Sequence, residues 1–211
     1  MHEIFQNLAE LDYLLEMNFP EYNKTRLDPK IRAKFIKSYN SKFDLDYYMD
    51  LLKANRNRQL IYQELVNYYS SNQVFFGPVL PYHASMSEII LCVNKNGEAL
   101  DIPSEFRSNL ESGHQICKPP LSKLALGKPK NCITNSQKIN TDLFTFSGYQ
   151  WHCLVMPKGR HYSPSGNLSG YIEYKLDHLQ KLGYRVIVMP DRTKLSVENL
   201  TKENIKSLLH L

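Results

Sequence analysis

The sequence predicts an α/β protein, with a helical N-terminal segment followed by a mixed sheet flanked by helices. Three observations carry that reading. Apolar residues in the first quarter recur at helical spacing, the period becomes that of strands from Gln73 onward, and the last third holds a strand–helix–strand run. At 211 residues the chain can form one large domain, or a core with a smaller satellite, around a substantial hydrophobic interior.

The elements follow in order. Ile4, Leu8, Leu11 and Leu15 fall at i, i+4, i+7 and i+11, which predicts a first helix buried along that stripe. Phe19-Pro20-Glu21-Tyr22 interrupts it. Asp28 before Pro29 is an N-cap acceptor followed by proline at the first helical position, where its missing N–H costs nothing. Ile31, Phe35 and Tyr39 are expected to face inward from this second helix. A third helical stretch starts near Asp44 with Leu45, Tyr48, Met49 and Leu52 apolar, breaks near Asn55–Asn57, and resumes with Leu60, Ile61, Leu65 and Tyr68.

Val74-Phe75-Phe76 and Glu88-Ile89-Ile90-Leu91-Cys92-Val93 read as strands, the second followed by a turn at Asn94-Lys95-Asn96-Gly97. Residues 103–142 read as an irregular insertion. They contain four prolines and no acidic residue between Glu111 and Asp142, where Lys118, Lys123, Lys128, Lys130 and Lys138 supply positive charge. Tyr149–Met156 is the next strand. Ile172, Leu176, Leu179 and Leu182 then mark a helix closed by Gly183, a natural C′ residue. Tyr184–Met189 is a near-continuous apolar run, as in a parallel strand buried on both faces. Thr201 is placed to cap a last helix with Ile205, Leu208 and Leu209 inward.

Formal net charge is +5 and the pI about 8.9. Residues 1–75 are balanced, residues 76–142 carry an excess of one positive charge, and residues 143–211 an excess of four. A basic C-terminal third suits a polyanionic partner. No apolar run approaches the roughly 20 residues needed to span a bilayer, so no membrane association is expected. Met1-His2-Glu3-Ile4-Phe5-Gln6 resembles neither a signal peptide nor an Arg-rich transit peptide, which predicts a cytosolic chain or one cut from the interior of a longer precursor. Cys92, Cys117, Cys132 and Cys153 lie far apart with no CxxC pair, so free buried thiols are expected, and neither a metal nor a cofactor.

Lys175-Leu176-Asp177-His178-Leu179-Gln180-Lys181-Leu182-Gly183-Tyr184-Arg185-Val186-Ile187-Val188-Met189-Pro190 resembles the helix–strand signature of RAP domains. Arg160-His161-Tyr162 is similar to the basic-His-aromatic element that precedes it. Leu-Glu-Met-Asn-Phe-Pro-Glu-Tyr at 15–22, with Arg26-Leu27 and Pro29, resembles the FAST subdomain, and Pro81-Tyr82 with Glu88–Gly97 resembles the link between the two. In this order the elements resemble the C-terminal region of FAST kinase-domain-containing proteins. The resemblance implies a helical FAST-type subdomain at 1–55 and a RAP-type α/β domain at 56–211, with the insertion at about 103–142. It implies a fold like the PD-(D/E)XK nucleases of the very-short-patch-repair type. It also implies mitochondrial location and a role in processing, stability or translation of mitochondrial transcripts. Single-stranded RNA is the implied partner, with protein partners in RNA granules or ribosome-associated complexes. Kinase activity is not expected, because there is no GxGxxG loop and no His-Arg-Asp motif.

A nuclease of that fold needs two acidic positions on neighbouring strands to hold Mg²⁺, and a lysine to orient water. Glu88 aligns with the first position and Val155 with the second, and Tyr149–Met156 contains no acidic residue at all. Glu88 is therefore expected to be a vestigial or surface carboxylate. Glu173 and Asp177 on the following helix are the remaining substitutes. RNA contacts require cations and exposed aromatic or guanidinium planes. The candidates are Lys158, Arg160, His161, Tyr162, Lys175, His178, Arg185, Arg192 and Lys194, with Lys175 and His178 expected to share one helix surface at i, i+3. Only Lys175 stands where RAP helices carry consecutive basic residues. Asp191-Arg192-Thr193-Lys194 replaces the usual aromatic-acidic-Trp element. These departures raise the alternative of a protein-interaction scaffold with a degenerate RAP domain. A metal-dependent nuclease is the least favoured reading.

Overall fold

The structure, a computed structural model, describes residues 2–22, 24–40, 45–54, 56–80, 88–94, 98–112, 117, 119, 149–157 and 161–189. Four helices come first: α1 (His2–Asn18), α2 (Pro29–Asn40), α3 (Leu45–Lys53) and α4 (Arg56–Tyr68). Strands β1 (Val74–Gly77), β2 (Glu88–Asn94) and β3 (Ala99–Leu100) follow, then α5 (Ser104–Ser112), β4 (Tyr149–Val155), α6 (Gly170–Leu182) and β5 (Arg185–Val188). The predicted mixed α/β architecture is present. No helix among the described residues is long and apolar enough to cross a membrane.

The sheet has five strands in the order β1-β2-β4-β5, with β3 on β2 beside β1. β2 is antiparallel to β1, β3 and β4, whereas β4 and β5 run parallel, as the strand–helix–strand run of the last third requires. Side chains alternate between two apolar layers. Ile90, Cys92, Trp151, Cys153 and Val155 face Ala9 and Tyr13 of α1, Phe106 and Leu110 of α5, and Ile172, Leu179 and Leu182 of α6. Ile89, Leu91, Val93 and Leu154 face Leu52 of α3 with Ile61 and Leu65 of α4. The central strands β2 and β4 are buried on both sides, which is why they read as nearly unbroken apolar runs.

Several local expectations hold. The Asp28 carboxylate accepts the N–H groups of Lys30 and Ile31 at 2.8 and 3.3 Å, capping α2 behind Pro29. Gly183 ends α6 at φ 104°, with its N–H on the Gln180 carbonyl and that of Tyr184 on the Leu179 carbonyl, so two of the last four carbonyls of the helix are satisfied. Cys92, Cys117 and Cys153 are buried and none of them is in a disulfide. The 95–97 turn, most of the basic insertion, Cys132 and the helix from Thr201 lie outside the described residues.

Four expectations need correction. The apolar run at Tyr184–Met189 predicts a strand buried on both faces, but β5 ends the strand order, with only Ile187 of its four residues buried and Val188 exposed. Helix α1 forms, but Ile4, Leu8 and Leu11 are 62, 42 and 51 % exposed. Its buried face is Ala9, Asp12 and Tyr13, joined by Phe5 stacked on Phe35 at 4.6 Å and by Met17. Ile31 on α2 is exposed as well. Finally, the segment read as irregular opens with a helix, because Phe106 and Leu110, one turn apart, both reach the core and Phe106 meets Trp151 edge-on at 4.9 Å. Cys117 is tied down too: its carbonyl accepts the Tyr184 hydroxyl at 2.9 Å.

A buried ionic network holds α1, the 19–28 connection and α2 together. The Asp12 carboxylate accepts Arg26 Nε at 2.8 Å, Arg32 Nη1 at 2.7 Å and the Leu27 N–H at 2.9 Å. Arg32 also lies over the Tyr13 ring at 4.2 Å. Burial by itself pushes the Asp12 carboxyl upward. The hydrogen bonds from Arg26, Leu27 and Arg32 outweigh it and hold the group below its ordinary range. Asp12→Ala removes the buried member of the network and leaves Arg26 and Arg32 to the half-exposed Glu16, at 3.3 and 2.6 Å, so it is expected to lower urea stability by about 1–2 kcal/mol. Because the folded-state value is depressed, the carboxylate's contribution is present above the unfolded value of about 3.9 and fades as pH falls through the folded one. Stability of the wild type should fall in that acid window more steeply than that of the variant.

Candidate functional site

The charged centre of the molecule is Glu88, the first residue of β2. The strand's alternation turns its side chain toward the layer formed by α1, α5 and α6, the same side as Ile90 and Cys92. It lies directly opposite Gly77 on β1 and Val155 on β4. Lys175 descends on it from α6. That helix buries Ile172, Lys175, His178, Leu179 and Leu182, so its inward stripe runs through both polar residues at i+3 steps.

Glu88 and Lys175 are fully buried and form an ion pair between Oε1 and Nζ. The other carboxylate oxygen accepts the Val79 N–H at 2.9 Å. Gly77 has no side chain because the Phe75 ring occupies that space; a Cβ there would stand 2.6 Å from a ring carbon. Burial pushes the Glu88 carboxyl up, and Lys175, the Val79 N–H and Arg58 pull against it. Burial likewise pushes up the Cys153 thiol, with Glu88 adding to the effect, and the Tyr184 phenol. Both therefore stay protonated around neutrality. Arg58, buried on α4, donates to the Met156 carbonyl just beyond β4. Neither Arg58 nor Val79 carried a signal in the sequence, since the partners of both are remote in the chain.

The structure sorts the predicted site residues. Glu88 is not a surface carboxylate. Lys175 and His178 share a helix face, but it is the inward one: both are fully buried, which removes them from any solvent-facing surface. The His178 ring lies 3.9 Å from that of Tyr174, and burial lowers its pKa to about 4, against a smaller upward pull from Asp177. His161 is buried and its carbonyl accepts the Ser169 N–H at 2.8 Å, while half-buried Tyr162 bridges to Leu168. Arg185 is half-buried, with Nη1 donating to Gln150 at 3.1 Å. Lys158, Arg160, Arg192 and Lys194 lie outside the described residues.

A divalent cation of the nuclease type does not fit these residues. The residue opposite Glu88 on β4 is Val155, which offers no oxygen, and an ammonium already engages the carboxylate. Glu173 is exposed and Asp177 pairs with Lys181 at 2.7 Å, so neither turns toward Glu88. Among the described residues no group of three His, Cys, Asp or Glu side chains is placed to hold a metal ion.

His178 generates a pH signature. Its folded-state pKa lies below the unfolded value of about 6.5, so protons bind preferentially to the unfolded chain as pH falls. Stability should be unaffected above that value and decline by about 3 kcal/mol in total between pH 6.5 and 4. Urea titrations of wild type and His178→Gln across this window should differ in slope, with the variant flatter.

No family model, curated protein or solved structure matches the chain.

Proposed function

We propose that this chain is a non-catalytic RNA-binding factor acting in mitochondrial RNA metabolism. One topological observation supports the reading best. β4 and β5 are parallel neighbours with Val155 opposite Val188, so the chain leaves both strands at the same edge of the sheet. Lys158 and Arg160 follow β4 closely in sequence, and Arg192 and Lys194 follow β5. In sequence, four of the predicted cations thus come soon after the carboxyl ends of two parallel strands, the ends at which ligands of open α/β sheets gather. The basic excess of residues 143–211 is of the sign a phosphate backbone requires. The mitochondrial setting and the single-stranded transcripts rest on the resemblance to FAST kinase-domain-containing proteins and their RAP domain. The nuclease-like version of the fold rests on the same ground.

Fluorescence anisotropy with labelled single-stranded RNA tests this. Affinity should fall with salt at a slope of about −0.7 per phosphate contacted. Lys158→Glu with Arg160→Glu should weaken binding and flatten that slope, whereas Arg185→Glu, at the opposite end of β5, should do neither. Absence of binding at low ionic strength overturns the proposal.

A second reading, a protein-interaction scaffold, has its own observation. Ile4, Leu8, Leu11 and Phe19 expose apolar side chains on α1 and just beyond it, of the kind that marks contact surfaces. On this reading stoichiometric protein partners survive RNase during affinity purification, and Leu8→Glu with Leu11→Glu releases them. Loss of all partners on RNase treatment favours RNA alone.

A further inference from the structure

The sequence resemblance aligns Glu88 with a metal-binding carboxylate of nuclease-type sheets, yet its surroundings are built for a different counter-ion. One oxygen takes the Val79 N–H and the other takes Lys175 Nζ. Val155 fills the cross-strand position, Gly77 contributes no side chain, and Phe75 closes over it. Mg²⁺ takes oxygen ligands in near-octahedral geometry and keeps several of its waters. Here a single carboxylate, with both oxygens engaged, is enclosed in an apolar layer containing Ile90, Cys153, Val155 and Ile172. An ammonium on a four-carbon stem needs no such shell, and its stem packs among those apolar side chains.

We propose that Lys175 is the built-in cation of this centre, replacing a divalent metal ion as the counter-charge of Glu88 and clamping α6 to the junction of β1, β2 and β4. The pair is net neutral whichever partner carries the proton, so the centre is complete in charge without any ion from solution. Bringing a divalent cation to Glu88 would require expelling the lysine from the core. Lys175 is accordingly a positioning residue, and the inference stands on the Glu88–Lys175 geometry independently of RNA binding.

Two measurements test it. In the first, ¹⁵N-labelled wild-type protein is titrated with Mn²⁺. The amide signals of Glu88, Val155 and Lys175 should remain no more broadened than those of the core as a whole. Selective broadening centred on these three overturns the proposal.

The second uses Lys175→Met, Glu88→Gln and the double variant, with thermal midpoints read across pH. Lys175→Met leaves a buried carboxylate without its cation, which raises the folded-state pKa of Glu88. Its midpoint deficit relative to wild type should therefore be smallest near pH 4.5 and widen as pH rises toward 7, the His178 contribution being common to both proteins. Adding Glu88→Gln should abolish that dependence and recover most of the lost midpoint at pH 7. A Lys175→Met protein that folds only when Glu88→Gln is also present supports the proposal equally. Additive losses in the double variant, with no pH-dependent rescue, overturn it.

Discussion

A carboxylate and an ammonium withdrawn from water, Glu88 on β2 and Lys175 on α6, constrain how the rest of this protein can be assembled. Removing each ion from solvent costs several kcal/mol, and their mutual attraction roughly offsets that, so the intact pair adds little net stability. Its influence lies in the asymmetry. Every arrangement that separates the two leaves a bare charge in an apolar layer. A one-residue slip of β2 would turn Glu88 to the α3/α4 face, away from α6. The register that sets Val155 opposite Glu88, and Val188 opposite Val155, is thereby linked to the seating of one helix.

The sheet has a second consequence for function. Its helix-covered faces are filled by side chains, including the polar ones that lie on the inward stripe of α6. The interior centre therefore holds the fold together, and interaction with a large partner must use edges and surfaces. Two are distinguishable: the edge at which β4 and β5 end, and the exposed apolar residues of α1. They differ in chemistry, one flanked in sequence by cations and the other oily. The Asp12–Arg26–Arg32 network lies behind the second and fixes the helix that carries it.

Some of this was legible from residue order alone. The Asp28-Pro29 start, the Gly183 stop and the change of period at Gln73 each reflect local backbone chemistry, and each is found where expected. The apolar runs of β2 and β4 are visible as strands because cover on both faces leaves little room for polar residues. The run expected to be covered on both faces, β5, instead ends the strand order with only Ile187 of its four residues buried. Helix α1 was misread in orientation. Its sequence offers two stripes, and the more apolar one, Ile4-Leu8-Leu11-Leu15, is largely outside, while the stripe containing Asp12 is inside because Arg26 and Arg32 neutralise that carboxylate. Helix α5 escaped notice since only Phe106 and Leu110 mark it. Glu88 is buried rather than at the surface because its counter-ion, Lys175, comes from a helix remote in the chain.

By itself, then, the sequence determined the order and type of most elements and the buried thiols among the described residues, because these follow from period, capping and cysteine spacing. Only the tertiary structure decided that Lys175 and His178 point inward, that Glu88 is buried with a lysine, and that one face of α1 stays exposed. Those outcomes depend on which distant residues meet. Residue type and local spacing are the same whether a helix lysine ends in water or on a carboxylate 87 positions earlier in the chain.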